Sequence, residues 1–142
     1  MTTTPEKLLQ LALEASTRAY SPYSNYCVGA ALLTESGQVY QGANMENASY
    51  GAAICAERTA AVQALYQGDR TFTAIAVVGY LRGTRPEEAE FAFPCGICRQ
   101  FLSEFASDDM KVYMGTPTQV QAFDFWTEIL PNAFRSDRLS ID

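Results

Sequence analysis

Apolar residues recur three or four positions apart at Leu8, Leu11, Ala12, Ala15 and Ala19, directly after Thr4 and Pro5. That spacing predicts an amphipathic helix with Thr4 as its N-cap and Pro5 as its first helical residue. It ends before the turn-rich stretch SPYSN, and the period then changes. Residues 26–33, YCVGAALL, form a near-continuous apolar run that reads as a buried strand, and TESGQ turns it into a second strand at 39–43. Helical spacing returns from Cys55 to Tyr66 and stops at Gly68. A buried strand, TAIAVVGYL, follows, then a polar surface loop, RGTRPEEAE, at 82–90. Pro94 stands at the start of a helix carrying Phe101, Leu102 and Phe105 on one face. Short strands at 112–114 and 120–123 and a last helix near Trp126 complete the order α-β-β-α-β-α-β-β-α. Such interleaving predicts an α/β fold, a three-layer α-β-α sandwich around a mixed five-stranded sheet.

Length and charge narrow what such a fold does. The 142 residues suit one domain, 1–142, with a core that needs no staples, and no repeat or linker divides them. Ten basic against sixteen acidic residues leave a net charge of -6, which argues against a nucleic acid polymer as partner. The stretch MTTTPEKLLQLALEA has neither a basic leader nor a long apolar run, so no signal peptide, no membrane span and a cytoplasmic location are expected. In that reducing compartment four cysteines read as metal ligands or reactive groups before they read as disulfides.

The cysteines fall in two settings. Cys95 and Cys98 lie at i and i+3 in a first helical turn, where side chains share a face and can clasp one ion. Cys55 also opens a helix, and helix starts favour thiolate over thiol. With no histidine in the chain, three soft sulfur ligands select zinc. Three protein ligands keep a fourth position for water, as at a catalytic site. Glu57 supports that reading, because a zinc-bound water needs a carboxylate to take its proton and pass it on. Arg58 fits the electrostatics: Zn²⁺ with three thiolates carries a net charge of about -1, and a guanidinium donating to the sulfurs restores the acidity of the bound water.

The motifs CAE and PCGIC resemble the three-cysteine signature of the zinc nucleoside deaminases. SPYSNYCVGAAL, GANMENASYG, CAERTA, PCGICRQ and LPNAF are similar, in order, to segments of the small homotetrameric cytidine deaminases. The resemblance covers residues 20–134. It implies hydrolytic deamination of cytidine and 2′-deoxycytidine in pyrimidine salvage. Cys55, Cys95 and Cys98 would bind one zinc per chain, Glu57 would shuttle protons and Arg58 would support the thiolates. Asn44 and Glu46 match residues that hold the sugar 3′-hydroxyl. Tyr26 matches an aromatic that packs on the pyrimidine, the backbone of Ala56 would face the base carbonyl, and Phe134 matches a ring donated by a neighbouring subunit of a homotetramer. Phe93 and Ile97 depart from the commoner residues at their positions.

Taken singly, each motif has a plainer reading. PCGIC between a strand and a helix also suits a thioredoxin-like redox pair. Cys27 is a possible fourth ligand that would make the zinc structural, but its neighbours are those of a buried strand, so a core thiol is expected. Asn44 and Glu46 are ordinary turn residues by type, and Tyr26 and Phe134 ordinary core aromatics. Within the same chemistry, a blasticidin-type deaminase is the nearest alternative.

Overall fold

The computed structural model describes residues 3–89 and 91–139. Helix α1 (Pro5–Ser16) starts where the sequence places it: the Thr4 hydroxyl accepts from Lys7 N at 3.1 Å and satisfies one of the donors that a helix start leaves unpaired. It ends before Ala19, so Ala19 is not part of its stripe. The Ser16 and Thr17 hydroxyls fold back on Leu13 O and Glu14 O at 2.6 and 2.7 Å, and the chain tightens into i→i+3 turns.

Strands β1 (Tyr26–Thr34) and β2 (Val39–Ala43) form the expected hairpin, with Gly37 at φ +89 in its turn. Helix α2 (Ala56–Tyr66) is followed by Gly68 at φ +95, a conformation that glycine adopts without steric cost. Strands β3 (Phe72–Leu81), β4 (Ala106–Thr116) and β5 (Gln119–Asp124) and helix α3 (Gly96–Ser103) complete the frame. The sheet runs β2-β1-β3-β4-β5, with β3 and β4 parallel and the other neighbours antiparallel. It is the mixed five-stranded sheet that the pattern predicts.

Three details differ from expectation. Strand β4 spans 11 residues where an apolar run of three was visible, because the exposed Asp108 and Asp109 interrupt the hydrophobic alternation of its first half. Phe105 lies past the end of α3; its carbonyl pairs with Phe72 N at 2.8 Å and its ring packs 5.4 Å from that of Phe72. The last helix is only a five-residue π-type turn, Phe125–Ile129, capped by Asp124. Leu130 precedes Pro131 and has left the helical region, as residues before proline tend to do.

Alternation along β1 sorts the layers. Gly29 and Ala31 face α1, where Leu8, Leu9 and Ala12 close one core with Ala76 and Val78. Ala30 and Leu32 face the other side, where Ile75, Val77, Val112 and Met114 pack under Ala60, Ala64, Leu102 and Phe125. One helix covers one face and two cover the other, which is the three-layer sandwich. Among the described residues, no helix is long and apolar enough to cross a membrane. The loop from Arg82 to Ala89 is the surface excursion expected, with a short 3-10 turn (Pro86–Glu88) and an exposed Arg85–Glu88 ion pair; Glu90, at its end, lies outside the described residues.

Candidate functional site

The starts of α2 and α3 meet on the two-helix face of the sheet. Cys55 is the N-cap residue of α2, Cys95 that of α3, and Cys98 sits in the first turn of α3. Their three Sγ atoms lie within 4.8 Å of one another, and Cys55 and Cys95 Sγ are 3.7 Å apart. A tetrahedral zinc about 2.3 Å from each sulfur would hold two sulfurs about 3.8 Å apart, so the cluster fits that ion. No cysteine of the chain is in a disulfide. No other Cys, Asp or Glu joins the cluster among the described residues.

Cys27 does not reach it. Its place in β1 points it to the α1 face with Gly29 and Ala31, on the opposite side of the sheet. It is buried as expected, but its company is polar: Ser21 Oγ at 3.6 Å and Arg82 Nη2 at 3.7 Å.

Glu57 lies in the first turn of α2 and is 4% exposed. Burial raises its carboxyl to about 7, helped by the negative charge on Cys55. The Cys55 thiol is pulled down to about 5, chiefly by a hydrogen bond from Cys98 and further by Arg58, while Cys98 is raised by that same bond and by burial. Arg58 Nη2 donates to Cys55 Sγ at 3.7 Å, and its buried Nε has no partner. Ala56, fully buried, is the first residue of α2, where backbone N–H groups have no intrahelical acceptor.

A second group stands at the start of β1. Asn44 brackets that strand: its Oδ1 accepts from Val28 N and its Nδ2 donates to Tyr26 O, both at 2.9 Å. Glu46 accepts from Tyr23 N at 2.9 Å, from Ser24 N at 3.2 Å and from the Ser24 hydroxyl. The Ser24 bond is the main reason its carboxyl lies below the usual range. The Tyr26 ring lies over Gly79, where a Cβ would stand 2.6 Å from Tyr26 Oη. Ser24 and Glu46 line a cavity of about 280 Å³ with Tyr23, Asn47, Tyr50 and Ala53, and Ala53 lies two positions before Cys55. Larger grooves of about 690 and 900 Å³ run along β2 and α2 and include none of the three thiols nor Glu57.

Phe134 is not in the core. Its side chain is 60% exposed, while its carbonyl accepts from Gln100 Nε2 at 3.0 Å. Ile97 and Phe93 are exposed as well, and the Phe93 ring packs edge-on against Phe91 and Phe123. Sequence reasoning missed two supports. Arg99 joins the start of α3 to the C-terminal turn, donating to Pro94 O at 2.7 Å and Ile129 O at 2.6 Å. Ser24 was visible only as a residue of a turn.

Chemically, three thiols can clasp one soft cation and leave it an open position, beside a buried carboxyl poised to hold or release a proton near neutral pH.

Comparison with known proteins agrees with this geometry. Residues 2–116 match the family model of the cytidine and deoxycytidylate deaminase zinc-binding region. A cytidine deaminase of Halalkalibacterium halodurans is 43% identical over 136 residues, covering 95% of this chain and 97% of that protein. One from Sporosarcina psychrophila is 41% identical, covering 95% and 94%. Among solved structures, the cytidine deaminase of Burkholderia pseudomallei superposes with a TM-score of 0.79 at 42% identity, covering 92% of this chain and 99% of the other. That of Mycobacterium tuberculosis gives 0.73 at 33% identity, covering 89% and 94%.

Proposed function

This chain belongs to the cytidine and deoxycytidylate deaminase family, and on that premise we propose that it is a pyrimidine-salvage enzyme converting cytidine and 2′-deoxycytidine, with water, to uridine and 2′-deoxyuridine plus ammonia. The observation that carries the reading is the juxtaposition of the three-thiol cluster with the buried Glu57 at the same helix start. Cys55, Cys95 and Cys98 hold the zinc, one per chain. When bound, the zinc supplies the Lewis acidity that makes a water nucleophilic near neutral pH.

Glu57 does the proton work. Its carboxylate takes a proton from the water that attacks C4 and gives it to N3; a second proton passes through the same carboxyl to the amino group, which leaves as ammonia. Burial, which disfavours the charged carboxylate, helps that group accept a proton as well as give one up. Arg58 offsets the negative charge of the sulfurs. The Ala56 N–H faces the base carbonyl, Tyr26 packs on the ring, and Asn44 and Glu46 hold the sugar 3′-hydroxyl. The Glu46 carboxylate in the cavity wall favours a nucleoside over a phosphorylated substrate.

The protein acts in the cytoplasm as one domain per chain, in a homotetramer whose active sites are shared. The exposed Phe134 supports that assembly, since among the described residues its ring joins neither core cluster and is available to close a neighbour's pocket. A spectrophotometric assay with cytidine, 2′-deoxycytidine, cytosine, CMP and blasticidin S tests the proposal. Consumption of the first two alone is expected, and turnover of blasticidin S or CMP in their place overturns the substrate assignment. Glu57→Ala is expected to keep its zinc and lose turnover; near wild-type kcat in that variant removes Glu57 from the proton path.

A further inference from the structure

The turn ahead of β1 does more than connect. Asn25 adopts a left-handed conformation, φ 59, and its N–H donates to Ser21 O at 2.9 Å. The chain thereby doubles back, and Tyr26 N comes to donate to Ser24 Oγ at 3.0 Å. Since that bond uses the Ser24 oxygen as acceptor, the single hydroxyl proton of Ser24 is left to point at Glu46 Oε2. Glu46 Oε1 already takes two backbone donors, Tyr23 N and Ser24 N. A carboxylate offers about four acceptor sites, so three are filled and one remains, on Oε2. The cavity that Ser24 and Glu46 both line is where an incoming hydroxyl can meet it.

We infer that Ser24 is a positioning residue for the substrate sugar: its hydroxyl orients the Glu46 carboxylate so that one acceptor site faces the ligand, and it ties that carboxylate to the backbone of Tyr26. The inference rests on the assignment of Glu46 to the sugar 3′-hydroxyl proposed above. Ser24 touches no reacting atom. Its effect passes through Glu46, whose remaining bonds to two backbone amides hold the carboxyl in place but do not fix which lone pair is offered. Ser24 and Glu46 are 22 positions apart in the chain, and only the fold joins them.

The test compares cytidine with 3′-deoxycytidine, which lacks the hydroxyl that Glu46 would receive, in the zinc-loaded enzyme and in Ser24→Ala, Ser24→Thr and Glu46→Gln. Ser24→Ala is expected to lower kcat/KM for cytidine about tenfold, mostly through KM, and to leave kcat/KM for 3′-deoxycytidine near the wild-type value. Ser24→Thr, which keeps the hydroxyl, is expected to return cytidine turnover toward wild type. A merely structural serine would penalise both substrates alike, and that result overturns the inference. Unchanged cytidine kinetics in Ser24→Ala, with Glu46→Gln still erasing the preference for cytidine, overturns the role of Ser24 and leaves that of Glu46 standing. If Glu46→Gln itself keeps the full preference, the sugar assignment fails and the inference falls with it.

Discussion

Two glycines on opposite faces of the sheet allow a test of what holds the site in place. A Cβ built at Gly42 would stand 2.4 Å from Ala60 N and 2.5 Å from Ala56 O, backbone atoms of α2. Ordinary contact begins near 3.4 Å, so Gly42→Ala forces β2 and α2 apart by roughly 1 Å (3.4 less 2.4). Overpacking of this kind costs about 1–3 kcal/mol. The functional penalty is expected to be larger, because Ala56 lies in the same helical turn as Glu57 and Arg58 and adjoins Cys55. A displacement of about 1 Å in a catalytic constellation costs about 100-fold in rate. At Gly29 the corresponding Cβ would stand 1.9 Å from Ala12 O and 2.5 Å from Ser16 N, both in α1 on the far face. Gly29→Ala is therefore expected to destabilise the fold at least as much as Gly42→Ala while sparing the thiols and Glu57. Urea denaturation gives stability, elemental analysis gives zinc per chain, and cytidine turnover is expressed per folded molecule. Wild-type turnover in Gly42→Ala refutes the reasoning, as does an equal loss per folded molecule in Gly29→Ala.

Three further outcomes are expected. Cys95→Ala should lose both zinc and activity, as read by elemental analysis and turnover; retention of one zinc per chain would show that two sulfurs suffice. In zinc-free protein, burial raises the Glu57 carboxyl from 4.5 to about 7, so the fold favours its protonated form. Its contribution to stability is fully present below pH 4.5 and is lost as pH rises through 7. The shift of 2.5 units (7 less 4.5) corresponds to about 3 kcal/mol, so urea titrations of wild type and Glu57→Gln should converge or cross by that amount between pH 4 and about pH 8; parallel curves would contradict the burial argument. Mixing Glu57→Ala with Phe134→Ala, each nearly inactive alone, should restore activity in mixed tetramers, where some pockets combine an intact Glu57 with an intact Phe134 from another chain. No recovery after subunit exchange verified by mass would exclude action of Phe134 in trans.

The elements that the sequence announced correctly are those whose signals are local. Thr4-Pro5, the apolar run of β1, Gly37 and Gly68 each act within a few residues, through a cap, a pleat or a left-handed turn. Where a non-local contact defines the element, the pattern failed. The first half of β4 carries exposed acids and is joined to the fold by distant contacts, Ala106 pairing with Phe72 and Ser107 O accepting from Trp126 Nε1 at 2.8 Å, and Phe105 packs against Phe72 across the core in place of extending α3. The candidate site was legible because its ligands sit at helix starts, where short motifs mark both position and chemistry.

What the sequence determined by itself is the inventory of the site: three thiols, a carboxylate and a guanidinium on two helix starts, with no histidine to compete for the metal. Only the tertiary structure decided which of them meet. The 40 positions that separate Cys55 from Cys95 hold no local instruction to bring two sulfurs to 3.7 Å. That separation follows from β3 carrying the chain across the sheet and returning α3 beside α2 on the same face. The same sheet excludes Cys27, because alternation along β1 turns its sulfur to the α1 side. Burial of Glu57 is likewise a property of packing: its place in the first turn of α2 is written in the chain, but the desolvation that raises its carboxyl arises only when the helices and the sheet close around it.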